Sequence, residues 1–185
     1  MTHDGRRFSN AEEDRVELVA YDLRWPSMFE TEAGRLRTAL TGVDLGAFQL
    51  EHFGSTAIPG IAAKPIIDIM LLAADQSRWP GVIEPIRSLG YVYWADNPRR
   101  DRMFFVKGMP PFGTGRTHHV HVRTPEDARA ALVFRDHLRR NPDAVERYAR
   151  LKRELEARHP TDREAYTEGK AAFVAGIVRE ADARA

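Results

Sequence analysis

The chain has 185 residues, of which 43% are hydrophobic and 30% charged, and its formal net charge at pH 7 is +1. This length favours one domain with a full core, and the near-neutral charge does not favour nucleic acid or an anionic membrane as a partner. The absence of cysteine excludes disulfides, thiol nucleophiles and cysteine-ligated zinc, and without a long apolar run or a signal-peptide core the expected location is cytoplasmic, with no membrane association.

The first quarter of the chain is predicted to form an extended lead-in and a helix. Residues 1–15 are expected to be flexible, and residues 16–21 alternate as a strand or an extended segment does. Trp25–Pro26 begins a helix, because proline suits the first helical turn, and Gly42 closes it. A strand over residues 48–53 follows.

A tight turn at Gly54, Ser55 and Thr56 comes next. Gly54 allows the backbone to turn sharply and a ligand to approach, while Ser55 and Thr56 bring hydroxyl donors. Because Pro59–Gly60 opposes a long helix, we expect one helical turn or a loop of free amide groups, which is an anion-binding arrangement. Lys64 supplies a positive charge close to this turn.

Asp68 lies inside an apolar run that predicts a strand over residues 66–73. A run this apolar is typical of a buried strand. A carboxylate in such a strand must be paired, ligate a metal or lie where the strand meets an open cleft.

Residues 76–107 are predicted to form a proline-interrupted helix, over 76–89, and two short strands, over 91–94 and 103–107. A loop between these strands holds three arginines: Arg99, Arg100 and Arg102. Guanidinium groups bind oxyanions through two parallel hydrogen bonds, so this loop is either a phosphate-binding loop or a solvated surface.

A strand over residues 116–123 carries two histidines two residues apart. Alternation places His119 and His121 on one face and His118 on the other. Two imidazoles on one face can ligate a metal, contact phosphate when charged, or be core residues that hydrogen-bond carbonyl groups. The hypothesis is a cluster of three side chains that faces the glycine–serine turn: Asp68, His119 and His121.

The last third of the chain is predicted to be helical. Thr124–Pro125 begins a first helix, with a capping hydroxyl followed by proline at the first position. Asn141–Pro142 begins a second helix, and Thr161–Asp162 a third whose apolar positions stay in register as far as Ile177.

Together these elements predict a mixed sheet of about five strands with interspersed helices, in an α+β or α/β fold. The expected organisation is a single domain over residues 1–185. In it, a helical tail over 124–185 packs on a sheet-containing core over 16–123.

The run from His52 to Ile69 resembles the signature of the GrpB family, which is similar to a branch of the nucleotidyltransferase superfamily. The segments around Trp25, His119–Val122 and the helical tail match the family in the same order, and the matching tail positions include Arg135 and Lys170. The resemblance implies an α+β, nucleotidyltransferase-like mixed sheet flanked by helices, with a helical C-terminal part. It leaves open whether Arg135 and Lys170 reach a cleft or form salt bridges within the tail.

In that superfamily, a glycine–serine turn precedes two acidic residues on a strand, which hold two divalent metals that bridge a triphosphate. The resemblance therefore implies a nucleotide or phosphorylated small molecule as ligand, a nucleoside triphosphate as donor and Mg²⁺ or Mn²⁺ as cofactor, with another divalent metal open at the histidines. The implied phosphate-binding residues are Gly54, Ser55, Thr56, Lys64, Arg99, Arg100 and Arg102. The implied catalytic and metal-binding residues are Asp68, His119 and His121.

The chain departs from the superfamily pattern at the acid pair. Ile66 and Met70 flank Asp68 at the positions where a second acid would stand, so any further carboxylate must come from elsewhere, for example Glu51. The first hypothesis is an enzyme that performs metal-assisted nucleotidyl transfer. The alternative is a non-catalytic module that binds a nucleotide or phosphate, or stabilises a protein partner, as the fusion of family members to dephospho-CoA kinase suggests. Metal-dependent hydrolysis ranks third.

Overall fold

The structure is a computed structural model that describes residues 15–97, 101–113 and 115–183. The flexible segment expected at residues 1–15 lies outside these ranges except for its last residue. Arg99 and Arg100 of the predicted phosphate-binding loop also lie outside the described residues.

Within the described residues, five strands form one mixed sheet in the order β1-β2-β5-β4-β3. The strands are β1 Phe48–Phe53, β2 Ile67–Ala73, β3 Tyr91–Tyr93, β4 Met103–Lys107 and β5 His118–Arg123. β2 and β5 are parallel neighbours, whereas the other neighbouring pairs are antiparallel. The predicted strands are confirmed, with small shifts at their ends.

The described helices lie around this sheet. They are α1 Trp25–Ala39, α2 Ile83–Ser88, α3 Pro125–Arg140, α4 Pro142–Arg158, α5 Arg163–Glu168 and α6 Ala171–Asp182. A single-turn 3-10 helix covers Ser55–Ala57, and a longer 3-10 helix covers Gln76–Val82. Among the described residues, no helix combines the length and apolar character needed to cross a bilayer.

The prediction of one continuous third helix in the tail is wrong, because the chain breaks between α5 and α6 at Gly169–Lys170. The Lys170 amide there donates to Thr167, three residues back, instead of four. A side chain at Gly169 would collide with Leu155 of α4. The absence of a side chain at Gly169 therefore allows this part of the chain to pack closely on α4.

The main core lies between one face of the sheet and the helices α1 and α2. Ile69 of β2, Val120 of β5 and Phe105 of β4 are fully buried there, against Leu36 of α1 and Ile86 of α2. Alternation along each strand sends the neighbouring residues to the opposite face.

The opposite face of the sheet is covered only in part by the helical tail. Met70 and Leu72 of β2 pack there against Ala128 of α3. The rest of the tail packs around the loop after the 3-10 turn, where Ile58 and Ile61 meet a cluster of tail side chains: Phe134, Leu138, Ala144, Tyr148 and Ile177. The starts of β2 and β5 therefore lie near the tail on this face, where the Asp68 side chain is 27% exposed.

Candidate functional site

β2 and β5 bring the predicted metal-ligand side chains to one place. Their parallel register pairs Asp68 with His119 and Met70 with His121, on the face opposite the main core. One potential ligand atom from each of Asp68, His119 and His121 lies within 4.8 Å of the others. Adjacent parallel strands and the two-residue alternation together produce this convergence.

The Asp68 carboxylate faces one ring nitrogen of each imidazole. Its Oδ1 lies 2.9 Å from Nδ1 of His119 and 3.8 Å from Nε2 of His121. The rings of Phe104 and Phe53 line the cluster, with centroids 4.7 Å and 5.0 Å from that of His121. The Asp68 side chain stays 27% exposed, compared with 10% for His119. The cluster is thus walled by aromatic rings and open at the carboxylate.

Burial and hydrogen bonding set the charges of the cluster. Burial raises the pKa of Asp68, but the contacts with His119 and His121 outweigh it and hold the pKa below its ordinary value. Burial lowers the pKa of His119 to about 4 and also lowers the pKa of His121. At neutral pH the site therefore holds one carboxylate and two neutral imidazoles, which is the protonation state that metal ligands need.

The glycine–serine turn packs directly against Asp68. Gly54 has φ 74° and ψ −171° and precedes the 3-10 turn Ser55–Ala57, so the expected single helical turn is confirmed. An ideal Cβ at Gly54 would lie 2.5 Å from Oδ2 of Asp68. Only glycine allows the turn to approach the carboxylate this closely.

Ser55 and Thr56 have different surroundings. The Thr56 hydroxyl is buried, 3.1 Å from Nε2 of His52, and donates to the carbonyl oxygen of Ile66. Its side chain therefore holds the turn together and does not face the cleft, unlike the predicted phosphate contact. Ser55 is partly exposed and lies near Tyr148 of α4, and burial raises the pKa of this tyrosine to about 12.

A group of cationic side chains lies beside Asp68. Nζ of Lys64 and Nζ of Lys170 lie 5.2 Å and 4.4 Å from the ring centroid of Tyr166. Burial, followed by the charges of Arg163 and Lys170, lowers the pKa of Lys64 to about 6. Burial also lowers the pKa of Lys170 to about 8, with a smaller effect of Arg163. At neutral pH Lys170 is therefore mostly protonated, whereas Lys64 is mostly neutral and would gain a proton beside a bound anion.

Two residues of this region, Arg163 and Tyr148, were not among the site residues that the sequence predicted. The helical period alone does not distinguish a side chain in the tail's own core from one that reaches a cleft. The match of neighbouring Lys170 to a family motif is the one sequence signal that pointed to this part of the tail.

Arg102, which belongs to the predicted arginine loop, lies near His121. It donates to Asp101, and Arg123 donates to the same carboxylate oxygen at 2.9 Å. After burial and the contact with Asp68, the charges of Arg102 and Arg123 are further influences on the pKa of His121 and lower it.

Glu51, the alternative source of a second carboxylate, is engaged elsewhere. Nη1 of Arg135 donates to Oε2 of Glu51 at 2.7 Å and to the carbonyl oxygen of His52 at 2.8 Å, which joins α3 to β1. Met70, at one of the expected acid positions, is fully buried beneath the site. Within the described residues, the cluster therefore contains one carboxylate.

Sequence comparison places the chain among bacterial proteins. The family model described as GrpB protein matches residues 15–180. The UPF0157 protein PA4798 of Pseudomonas aeruginosa is 52% identical over 178 residues, which cover 96% of this chain and 72% of that protein. A dephospho-CoA kinase of Mycolicibacterium paratuberculosis is 30% identical over 189 residues, which cover 90% of this chain and 46% of that protein.

Comparison of structures identifies the fold. The crystal structure of conserved protein GrpB from Enterococcus faecalis is similar, with a TM-score of 0.76 and 33% identity over 89% of this chain and 96% of that chain. A MgGTP-bound crystal structure of the Cid1 poly(U) polymerase has a TM-score of 0.54 and 12% identity over 75% of this chain and 44% of that chain. At 12% identity the likeness shows the fold alone, and the predicted nucleotidyltransferase-like fold is confirmed.

Proposed function

The chain belongs to the GrpB family, and we propose that its cleft binds a nucleotide or another phosphorylated small molecule and performs metal-assisted nucleotidyl transfer. One observation carries this proposal. On a nucleotidyltransferase-like sheet, the glycine–serine turn touches Asp68, and Asp68 contacts both His119 and His121.

The cations beside Asp68 support a phosphorylated ligand. Lys64, Lys170 and Arg163 influence one another electrostatically, and the anion acting on both lysines is Asp68. Buried like charges destabilise one another unless an anion neutralises them. A phosphate group supplies that negative charge.

The residues present are suited to one divalent metal. Asp68 is ionised, and the imidazoles of His119 and His121 are neutral at neutral pH, so all three are competent ligands. Bound there, a metal acts as a Lewis acid toward phosphoryl oxygens. Lys64, Lys170 and Arg102 would orient the phosphates and balance the negative charge that develops during transfer.

The proposal predicts that nucleoside triphosphates stabilise the protein in a metal-dependent way. A ligand at about 100 times its Kd stabilises the folded state by about 2.7 kcal/mol, which is roughly 5–10 °C in Tm for a chain of this size. We expect the shift for at least one triphosphate in the presence of Mn²⁺ or Mg²⁺, measured by differential scanning fluorimetry. Lys64→Met and Asp68→Asn are expected to remove most of it.

The control is Arg87→Met, which removes an exposed cation of α2 that pairs with Glu84. This variant is expected to keep the full shift. The absence of a shift with every triphosphate and metal, at millimolar ligand, would contradict the proposal. Nucleotidyl transfer is measured as pyrophosphate release, because the new bond between the acceptor oxygen and the α-phosphorus breaks the bond to the pyrophosphate leaving group.

A second candidate function is a non-catalytic binding module. Two observations favour it: Met70 is buried at an expected acid position, and Glu51 is bound to Arg135. The match to part of a dephospho-CoA kinase supports a role beside a protein partner. Triphosphate binding without pyrophosphate release, whatever hydroxyl acceptor is offered, would favour this module over the transferase.

A further inference from the structure

We propose that Asp68, His119 and His121 bind one nitrogen-accepting divalent transition metal, such as Zn²⁺, Fe²⁺ or Ni²⁺, and do not bind a pair of magnesium ions. This inference deepens the proposed function, on which it rests for the use of the metal but not for its binding. It concerns which ion the three side chains select.

The distances within the cluster suit a single small ion. Oδ1 of Asp68 lies 2.9 Å from Nδ1 of His119 and 3.8 Å from Nε2 of His121. Ligand atoms about 2.0–2.2 Å from a tetrahedral zinc ion lie roughly 3.3 Å from one another. These two separations fall on either side of that value, and the three ligand atoms all lie within 4.8 Å of one another, so side-chain rotations would bring them around one ion.

The donor atoms favour a transition metal. Imidazole nitrogen suits zinc, iron, nickel and copper, whereas magnesium takes six oxygen ligands in a near-ideal octahedron. Here two of the three protein donors are nitrogens. The carboxylate oxygens that a magnesium pair needs are missing from the described cluster, because Met70 is apolar and Glu51 is held by Arg135.

The histidines do not have the surroundings of ordinary core histidines. Buried polar atoms normally find a hydrogen-bond partner. Nε2 of His119 and Nδ1 of His121 are buried without one among the described residues, and the other ring nitrogens face Asp68. The His119 residue is only 8% exposed. The two rings are therefore held toward the carboxylate and are not part of a carbonyl-bonded core network.

Aromatic walls and an open side complete the site. Phe104 lies edge-on to His119 with ring centroids 5.0 Å apart, and Phe53 lies edge-on to His121 at the same distance. The Asp68 side chain is 27% exposed, and its Oδ2 lies next to the Gly54 turn. Three protein ligands leave a coordination position for an atom from outside the chain, as in catalytic zinc sites.

The test is isothermal titration calorimetry of the tag-free, EDTA-treated full chain with Zn²⁺, Ni²⁺, Mn²⁺ and Mg²⁺, with no nucleotide present. We expect one Zn²⁺ per chain, with an affinity at least about 100-fold above that for Mg²⁺. His119→Gln and His121→Gln are each expected to weaken Zn²⁺ binding by about 100-fold or more, since even outer-shell changes cost 10–100-fold.

His118→Gln is the matched control. His118 lies on the same strand, but its side chain is on the opposite face, beside Glu32. This variant is expected to bind Zn²⁺ as the wild type does. X-ray absorption of the Zn²⁺-loaded wild type gives a second readout, because scattering from two imidazoles is expected even if a variant fails to fold.

Two results would overturn the inference. One is binding of two Mg²⁺ ions per chain at an affinity similar to that for Zn²⁺. The other is Zn²⁺ binding that is weak or insensitive to both histidine substitutions. If either result is obtained while triphosphate still raises the Tm, the inference about the metal fails and the proposed function is retained. Specific Zn²⁺ binding without any nucleotide effect would overturn the proposed function alone.

Discussion

At the scale of single residues, the approach of the turn to the carboxylate depends on Gly54. Its φ of 74° is a conformation that side chains disfavour, and a Cβ would lie 2.5 Å from Asp68 Oδ2. Gly60 also has a positive φ, of 77°, but nothing lies within 4 Å of its ideal Cβ. Substitutions at the two glycines can therefore distinguish the effect of backbone strain from the effect of a collision with Asp68.

Gly54→Ala is expected to lower the free energy of unfolding by about 1–3 kcal/mol and to weaken metal and triphosphate binding. The backbone strain adds to the displacement of Asp68. Urea denaturation measures the first effect and titration calorimetry the second. Gly60→Ala is expected to lose stability but to keep its ligands. Equal loss of binding in both variants would contradict the role given to the contact with Asp68.

At the scale of elements, the start of α3 is defined by its cap. The Thr124 hydroxyl accepts a hydrogen bond from the Asp127 amide at 3.1 Å and donates to the Asp127 carboxylate at 2.7 Å. α3 begins immediately after β5, the strand that carries His119 and His121. The cap thus determines where the site strand ends and the helical tail begins.

Thr124→Ala is expected to lower the free energy of unfolding by about 1 kcal/mol, because the Asp127 amide loses its acceptor. Thr124→Ser keeps the hydroxyl and is expected to keep most of the stability. Urea denaturation of the three proteins measures the difference. If the serine variant is as unstable as the alanine variant, the threonine methyl group, and not the cap, is responsible.

At the scale of the whole molecule, the cationic side of the cleft is assembled from core and tail. Lys64 precedes β2, whereas Arg163 begins α5 and Lys170 lies between α5 and α6. Burial, followed by the charges of Arg163, Lys170 and Arg116, lowers the pKa of Lys64 to about 6, while the charge of Asp68 opposes this shift. The arrangement of these charged groups therefore depends on the docking of the tail.

The lowered pKa of Lys64 predicts a pH dependence of stability. The unfolded chain keeps this lysine protonated up to its ordinary pKa of 10.5, while the folded protein releases the proton near pH 6. The unfolded state then binds more protons, so this group's contribution to stability rises with pH between these values.

Binding of an anion is expected to raise the pKa of Lys64 back toward its ordinary value. Inorganic triphosphate raises the pKa of Lys64, so binding at pH 7.5 takes up protons. Calorimetry in buffers of different ionisation enthalpy measures the uptake, which Lys64→Met is expected to reduce by most of its value. Lys170→Met is expected to reduce it less, because the pKa of Lys170 is lowered only to about 8. Binding without proton uptake would contradict the assignment of Lys64 to the anion site.

The sequence by itself determined the strands, the starts of the tail helices, the turn and the two histidines that share one face of β5. Strand alternation, the Thr124 cap and the glycine turn each depend on a few neighbouring residues, so local preferences suffice to predict them. The same holds for His119 and His121, whose spacing of two places them together on a face. The order of the GrpB motifs was also recognised in the sequence, and the resemblance to that family predicted the fold.

Only the tertiary structure decided which side chains meet across the cleft. Glu51 is bound by Arg135, 84 residues away, and the Thr56 hydroxyl is buried against His52 and Ile66. The tail helix breaks at Gly169, which packs closely on Leu155, and Lys170 at this break lies over the ring of Tyr166. These outcomes depend on packing between distant segments, and local preference carries no information about which segments become neighbours.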